Sequence, residues 1–249
     1  MRPKTLILRC AGTNCDGEAA YAFQVAGAAP EFLHVNRLLE SPALLDGFKI
    51  LVFPGGFSYG DDIAAGKILA NQIVHHLAEP LRRFVEAGKP VIGICNGFQV
   101  LVKTNLLPGA LGGRTGQTCT LTNNDSGRFV DKWIKLSPRP SKCVWTTGIG
   151  PIELPIAHGE GKFVPADEQV RKELWDNQQV PLVYEGHNPN GSIDDIAGVC
   201  DRTGLVFGLM PHPERHIDPL QHPAWSTRKD KSEGDGLQIF RNAIAAVKG

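Results

Sequence analysis

Along the first half of the chain, runs of consecutive apolar residues alternate with stretches whose apolar positions recur every three or four residues. Leu6-Ile7-Leu8, Phe32-Leu33-His34-Val35, Ile50-Leu51-Val52-Phe53 and Val91-Ile92-Gly93-Ile94 are mostly apolar at successive positions, which predicts strands buried on both faces. Residues 16–27 and about 64–86 carry helical spacing between them. Buried strands joined by amphipathic helices build a parallel sheet covered on both sides. The expected fold class is α/β: a doubly wound, mostly parallel sheet with helices on both faces.

In the second half Gly and Pro become frequent and the apolar runs shorten to 117–121, 129–136, 151–157 and 182–185. These predict antiparallel strands added to the same sheet, within a single domain over residues 1–249. Residues 196–200 and 205–210 flank a turn and predict a hairpin, and 237–247 predict a closing helix. The segment 217–236, rich in charge, Pro and Gly, reads as a solvated surface loop, with a mobile surface segment as the alternative.

Composition narrows the function classes. A chain of 249 residues that is 42% hydrophobic can bury a full core, so disorder is excluded. Lys+Arg 26 against Asp+Glu 26 gives zero net charge and no global field to draw in nucleic acid or an anionic membrane, so neither is an expected partner. No apolar run approaches the ~18 residues of a membrane span, and the start of the chain lacks a secretory signal, so a cytoplasmic protein is expected. The six cysteines are scattered without a Cys-x-x-Cys pair, and in a reducing cytosol most are free thiols.

The strongest chemical signal is Val91-Ile92-Gly93-Ile94-Cys95-Asn96-Gly97-Phe98-Gln99, a buried strand running into Gly-x-Cys-x-Gly and then a helical pattern. This is a nucleophile elbow with Cys in place of Ser, in which the glycines permit close backbone approach around one outward side chain. The helix start would favour the thiolate of Cys95. Free cysteines usually only pack, and Cys10, Cys15, Cys119, Cys143 and Cys200 keep that reading.

A thiolate needs a base, and Met210-Pro211-His212-Pro213-Glu214-Arg215-His216 follows a strand-like run. In an extended segment Glu214 falls on the same side as His212 and holds one ring nitrogen while the other faces sulfur. The competing reading makes His212, Glu214 and His216 metal ligands. However, His-Glu-x-x-His spacing serves a helix, and the proline after His212 disfavours helical backbone there. Phe53-Pro54-Gly55-Gly56-Phe57-Ser58-Tyr59-Gly60-Asp61-Asp62 is a glycine-rich strand-end loop. It lacks the Gly-Lys-Ser/Thr ending of a nucleotide loop, and beside an acyl-transfer nucleophile it would present N–H donors to an oxyanion.

Residues 93–99, 211–214 and Pro54-Gly55-Gly56 resemble the triad-type (class I) glutamine amidotransferases. Residues 57–62, 96–99 and Pro155-Ile156-Ala157-His158-Gly159-Glu160-Gly161 are similar, more narrowly, to the glutaminase subunits of phosphoribosylformylglycinamidine synthase in purine biosynthesis. The resemblance runs from Gly12-Thr13-Asn14-Cys15-Asp16 to the last helix. It implies that Cys95 attacks the glutamine amide, His212 relays protons and Glu214 orients His212. It further implies that the Gly56 and Asn96 N–H groups face the oxyanion, and that Gln99 contacts substrate or lies on a helix surface. No metal or organic cofactor is implied in this chain. ATP and Mg²⁺ are expected on a partner synthetase subunit, with a small bridging subunit as a further partner and 155–161 as part of the face or gate toward them, unless it is an ordinary connecting turn. The alternatives are a class I glutaminase of another pathway and a non-amidotransferase elbow-cysteine α/β protein, which would not need His212-Pro213-Glu214.

Overall fold

The computed structural model describes residues 2–109, 116–228 and 232–248. Its parallel strands are β1 (Lys4–Arg9), β2 (Ala29–His34), β3 (Ile50–Phe53) and β4 (Val91–Ile94), with helices α1 (Asp16–Ala26), α2 (Val35–Glu40), α3 (Lys67–His76), α4 (Ala78–Glu86) and α5 (Asn96–Lys103). The rest comprises β5 (Cys119–Thr122), β6 (Val130–Pro138), β7 (Ile152–His158), β8 (Lys162–Pro165), α6 (Glu168–Asp176), β9 (Leu182–Glu185), β10 (Ile196–Cys200), β11 (Val206–Leu209) and α7 (Leu237–Ala246).

Nine strands form one sheet in the order β2-β1-β3-β4-β11-β10-β9-β6-β7. The first five are mutually parallel and the pairs from β11 to β7 are antiparallel. The chain leaves β1 toward β2 and leaves β3 toward β4 on the other side, so right-handed crossovers place α1 and α3 on opposite faces. Phe23 of α1 meets Phe240 of α7 edge-on at 5.0 Å, which welds the last helix to the first. Strands β3, β4 and β11 are buried at every position. Strand order reverses between β1 and β3, and the crevice beyond the carboxyl ends at such a switch point is where α/β sheets bind ligands.

Several expectations are sharpened. The helix expected over 64–86 is two helices, broken where Leu77 leaves helical backbone (φ −123°, ψ 2°). Residues 117–121 do not join the main sheet. They give β5, which pairs with β8 in a separate two-stranded ribbon. The strands β6, β7, β9 and the hairpin β10–β11 stand as expected. The segment 217–236 is not simply a solvated loop: Ile217 and His222 are buried, His222 packs edge-on against Trp133 at 4.5 Å, and Asp235 accepts the Glu153 N–H at 2.9 Å. Residues 229–231 of that segment lie outside the described residues.

Candidate active site

Cys95 stands between β4 and α5 with φ 52° and ψ −107°, a conformation that costs a non-glycine residue of order 1–3 kcal/mol. Its neighbours hold it there. A Cβ on Gly97 would lie 1.9 Å from the Phe53 carbonyl oxygen, and one on Gly93 would lie 2.6 Å from that of Gly97. Only glycine lets α5 sit this close to β3 and β4. The Cys95 N–H donates to the Leu209 carbonyl at 2.8 Å, fixing the elbow to β11, and its thiol donates to the Ala157 carbonyl at 3.7 Å.

His212 follows β11, and its N–H donates to the Pro155 carbonyl at 2.8 Å. Its Nδ1 lies 2.6 Å from Glu214 Oε1, both side chains being buried. The segment is not extended, however. Pro213–Arg215 form a turn of 3-10 helix, which Pro213 suits with its fixed φ, and the turn rather than strand alternation brings Glu214 back to the ring. His212 Nε2 and Glu214 Oε2 are buried without a hydrogen-bond partner. Burial penalises the imidazolium, but the Glu214 carboxylate and the Cys95 and Cys15 sulfurs outweigh it and hold the His212 pKa well above the usual histidine value.

The strand β7 ends the sheet, and its outward carbonyls organise this site. Glu153 oxygen meets His216 Nδ1 at 2.7 Å, Pro155 oxygen takes the His212 N–H, and Ala157 oxygen takes the Cys95 thiol. His216 is thus turned to Glu153 and stacked edge-on against Trp133, so it does not join His212 and Glu214 as a third ligand.

At the switch point, Thr13 and Gly56 form an isolated antiparallel bridge. Its bonds use the N–H groups of Asn14 and Phe57, so the Gly56 N–H faces the other way. A Cβ on Gly56, at φ +136°, would lie 2.7 Å from Asn14 nitrogen. Asn96 opens α5, and its backbone N–H has no intrahelical acceptor. The Asn96 side chain accepts the Ser58 N–H at 3.1 Å and donates to Asp61 and to Gln99 Oε1, each at 3.0 Å. Gln99 in turn donates to the Glu160 carbonyl at 2.6 Å. Both polar ends of Gln99 are therefore engaged within the protein, although the residue lines the cavity. These two buried amides tie the glycine-rich loop, the elbow helix and 158–161 together.

Two cavities meet at Cys95, Gly56 and Ala157. One, of about 220 Å³, is also lined by Phe57, Gln99 and His158. The other, of about 240 Å³, is lined by Cys15, His212 and Arg215. Cys95, His212, Glu214, Gly56, Asn96 and Gln99 are all brought to this place. Sequence reasoning passed over two neighbours. Cys15 accepts from Arg215 Nη2 at 3.2 Å, and its signal was the Gly-Thr-Asn-Cys-Asp turn at the carboxyl end of β1. His158 pairs through Nδ1 with Asn124 Oδ1 at 3.1 Å, and burial, reinforced by the charge on His212, pushes its pKa down to about 4.

The sequence matches the CobB/CobQ-like glutamine amidotransferase domain over residues 2–246. It is 49% identical to a phosphoribosylformylglycinamidine synthase subunit PurQ of Dehalococcoides mccartyi, over 97% of this chain and 96% of that one. It is 41% identical to the subunit of that name in Methanococcus maripaludis, with 97% and 96% covered. The solved structure of PurLQS from Thermotoga maritima matches the fold with a TM-score of 0.78 and 32% identity, over 98% of this chain and 99% of that one. The chain belongs to the glutamine amidotransferases and, within them, to the PurQ family.

Proposed function

We propose that this chain hydrolyses glutamine to glutamate and ammonia through Cys95, His212 and Glu214. The ammonia passes to a synthetase subunit that converts formylglycinamide ribonucleotide to formylglycinamidine ribonucleotide. The observation that carries the reading is the buried His212–Glu214 contact of 2.6 Å, with the same histidine and the elbow cysteine lining one cavity.

The Cys95 thiolate attacks the side-chain amide carbon. The N–H groups of Gly56 and Asn96 receive the developing oxyanion, each such donor being worth ~10²–10³-fold. The His212 imidazolium, held by Glu214, gives its proton to the leaving nitrogen, and ammonia departs from a γ-glutamyl thioester. Neutral His212 then takes a proton from water, which attacks the thioester; the acid leaves and gives its proton to solvent as glutamate, and the thiolate–imidazolium pair is restored. Gln99 shapes this cavity through Asn96 and Glu160. No step in this half-reaction calls for a metal or an organic cofactor, and ATP and Mg²⁺ are assigned to the synthetase.

Ammonia released into neutral water is protonated and loses its nucleophilic lone pair, so the cavity must open toward an acceptor site. Residues 158–161 and the exposed rings of Phe57 and Phe129 at its mouth are assigned to that face, with a small bridging subunit and Trp225 as further contacts. The six free thiols, together with the absence among the described residues of a helix long and apolar enough to cross a membrane, support a cytoplasmic setting. The test is glutamate production by the purified chain, alone and with the synthetase, formylglycinamide ribonucleotide and ATP. Slow turnover alone and stimulation in the mixture are expected. Absence of glutamate in both would overturn the reading, and equal rates in both would refute coupling.

A further inference from the structure

Asn124 follows β5, is buried, and lines neither of the cavities at Cys95, yet its hydrogen bonds hold the turn 158–161 that walls one of them. Its backbone N–H donates to the Gly159 carbonyl at 2.9 Å, its Nδ2 donates to the His158 carbonyl at 2.9 Å, and its Oδ1 accepts the Gly161 N–H at 3.0 Å. Nδ2 also donates to the Arg128 carbonyl at 2.9 Å. Carbonyls only accept and a backbone N–H only donates, so these partners settle which end of the amide is oxygen. That oxygen lies 3.1 Å from His158 Nδ1.

The consequence reaches the cavity through the imidazole. An oxygen that only accepts requires the proton on Nδ1, and burial together with the charge on His212 holds the ring neutral, with a pKa of about 4. Nε2 therefore carries a lone pair. It is buried and has no hydrogen-bond partner, although His158 lines the cavity of about 220 Å³ beside Cys95. Gly161 lies against the ring, since a Cβ there would fall 2.3 Å from Cε1 and 2.7 Å from Nε2, so glycine on one side and Asn124 at Nδ1 fix its orientation. Asp61 and Glu160 line the same cavity, and no lysine or arginine is among its described lining residues. With the substrate amide at Cys95, the ammonium end of glutamine is the donor that this acceptor-rich wall suits.

We propose that Asn124 is a positioning residue for glutamine: it holds His158 in the Nδ1–H tautomer, with Nε2 as the acceptor for the substrate ammonium group. This role rests on the glutaminase reading of the cavity and deepens it. Asn190 tethers the same turn independently, donating to the Gly161 carbonyl at 2.8 Å, so a change at Asn124 acts first on the imidazole.

The test uses the full chain with ¹⁵N-labelled histidine at about pH 8, above ordinary histidine titration. Wild-type His158 should show a protonated Nδ1 and a bare Nε2, and a ring protonated at Nε2 would overturn the role with no variant needed. Glutamine titrated into Cys95→Ala, which cannot turn it over, should shift the Nε2 resonance. Binding seen by calorimetry without that shift would overturn the contact alone, whereas no binding at all would overturn the glutaminase reading with it. For turnover, Asn124→Leu removes the accepting oxygen and Asn124→Asp keeps it. The leucine variant should raise the KM for glutamine ~10-fold or more with kcat changed less, and the aspartate variant should recover most of that loss. An unchanged KM in an Asn124→Leu chain with a wild-type melting profile would overturn the positioning role.

Discussion

In the parallel half of the sheet, β1, β3 and β4 end in loops where glycines let backbone touch backbone. In the antiparallel half, one edge strand presents carbonyl oxygens to groups from elsewhere. The first arrangement fixes Cys95 and Gly56 by exclusion, since a single added Cβ would collide with Phe53 oxygen or Asn14 nitrogen. The second fixes His212 and the Cys95 thiol by hydrogen bonds along β7. Steric exclusion tolerates no substitution, whereas a carbonyl tolerates any side chain on its own residue. Sensitivity to mutation should therefore be concentrated in the parallel half.

The largest effects should fall where the halves meet. Cys95→Ala and His212→Ala should each lower steady-state glutamate production by ~10⁴-fold or more, and the double variant should lose little beyond that, as expected of groups acting as a unit. Glu214→Gln should cost less than His212→Ala, because an amide still orients the ring. A pair of glycine substitutions then contrasts the halves directly in urea denaturation. Gly97→Ala must move Phe53 oxygen from 1.9 Å and should lose ~3 kcal/mol or more, whereas Gly159→Ala, whose nearest neighbour is Phe129 at 3.9 Å, should change stability by ~1 kcal/mol or less.

Two of the buried histidines, His158 and His212, should give opposite pH dependences. His158 falls from 6.5 to about 4 in the folded chain, so the unfolded chain binds more protons between those values and stability declines on acidification through that window, by about 3 kcal/mol. That loss should be absent from urea denaturation curves of His158→Asn. His212 is raised instead, so its contribution is fully present below its unfolded pKa and is lost as pH climbs through the folded one. The smallest effect concerns Gln99. With both polar ends tied to Asn96 and Glu160, Gln99→Ala should lower kcat/KM by ~10-fold or less, and a larger loss confined to KM would instead indicate direct contact with substrate.

The strands β1, β3 and β4, the elbow and the pairing of His212 with Glu214 were readable from continuous apolar runs, paired glycines and a carboxylate close to the histidine. The turn that joins the pair, however, reads as extended in the sequence, and the run 32–35 reads as a strand buried on both faces, although β2 is half-exposed and Val35 begins α2. The edge-strand contacts were not readable, since carbonyls of Pro155 and Ala157 leave no side-chain trace. Cys15 was set aside because a cysteine reads the same whether it packs or lines a cavity. The break at Leu77 had a readable mark in Pro80, which fits the first turn of α4 and not the interior of one continuous helix. Likewise, α6 was missed despite a readable start, since Asp167 caps it by accepting the Val170 N–H at 2.8 Å.

The edge strand β7 has one more consequence. An unpaired strand edge invites another chain to add to it, and natural sheets blunt such edges with proline or a covering loop. Here Pro155 removes one donor, and the residues that cap Glu153, Pro155 and Ala157 are Asp235, His216, His212 and Cys95. Protection against aggregation and assembly of the cysteine–histidine pair thus rest on the same contacts. A change that frees this edge should cost solubility together with chemistry.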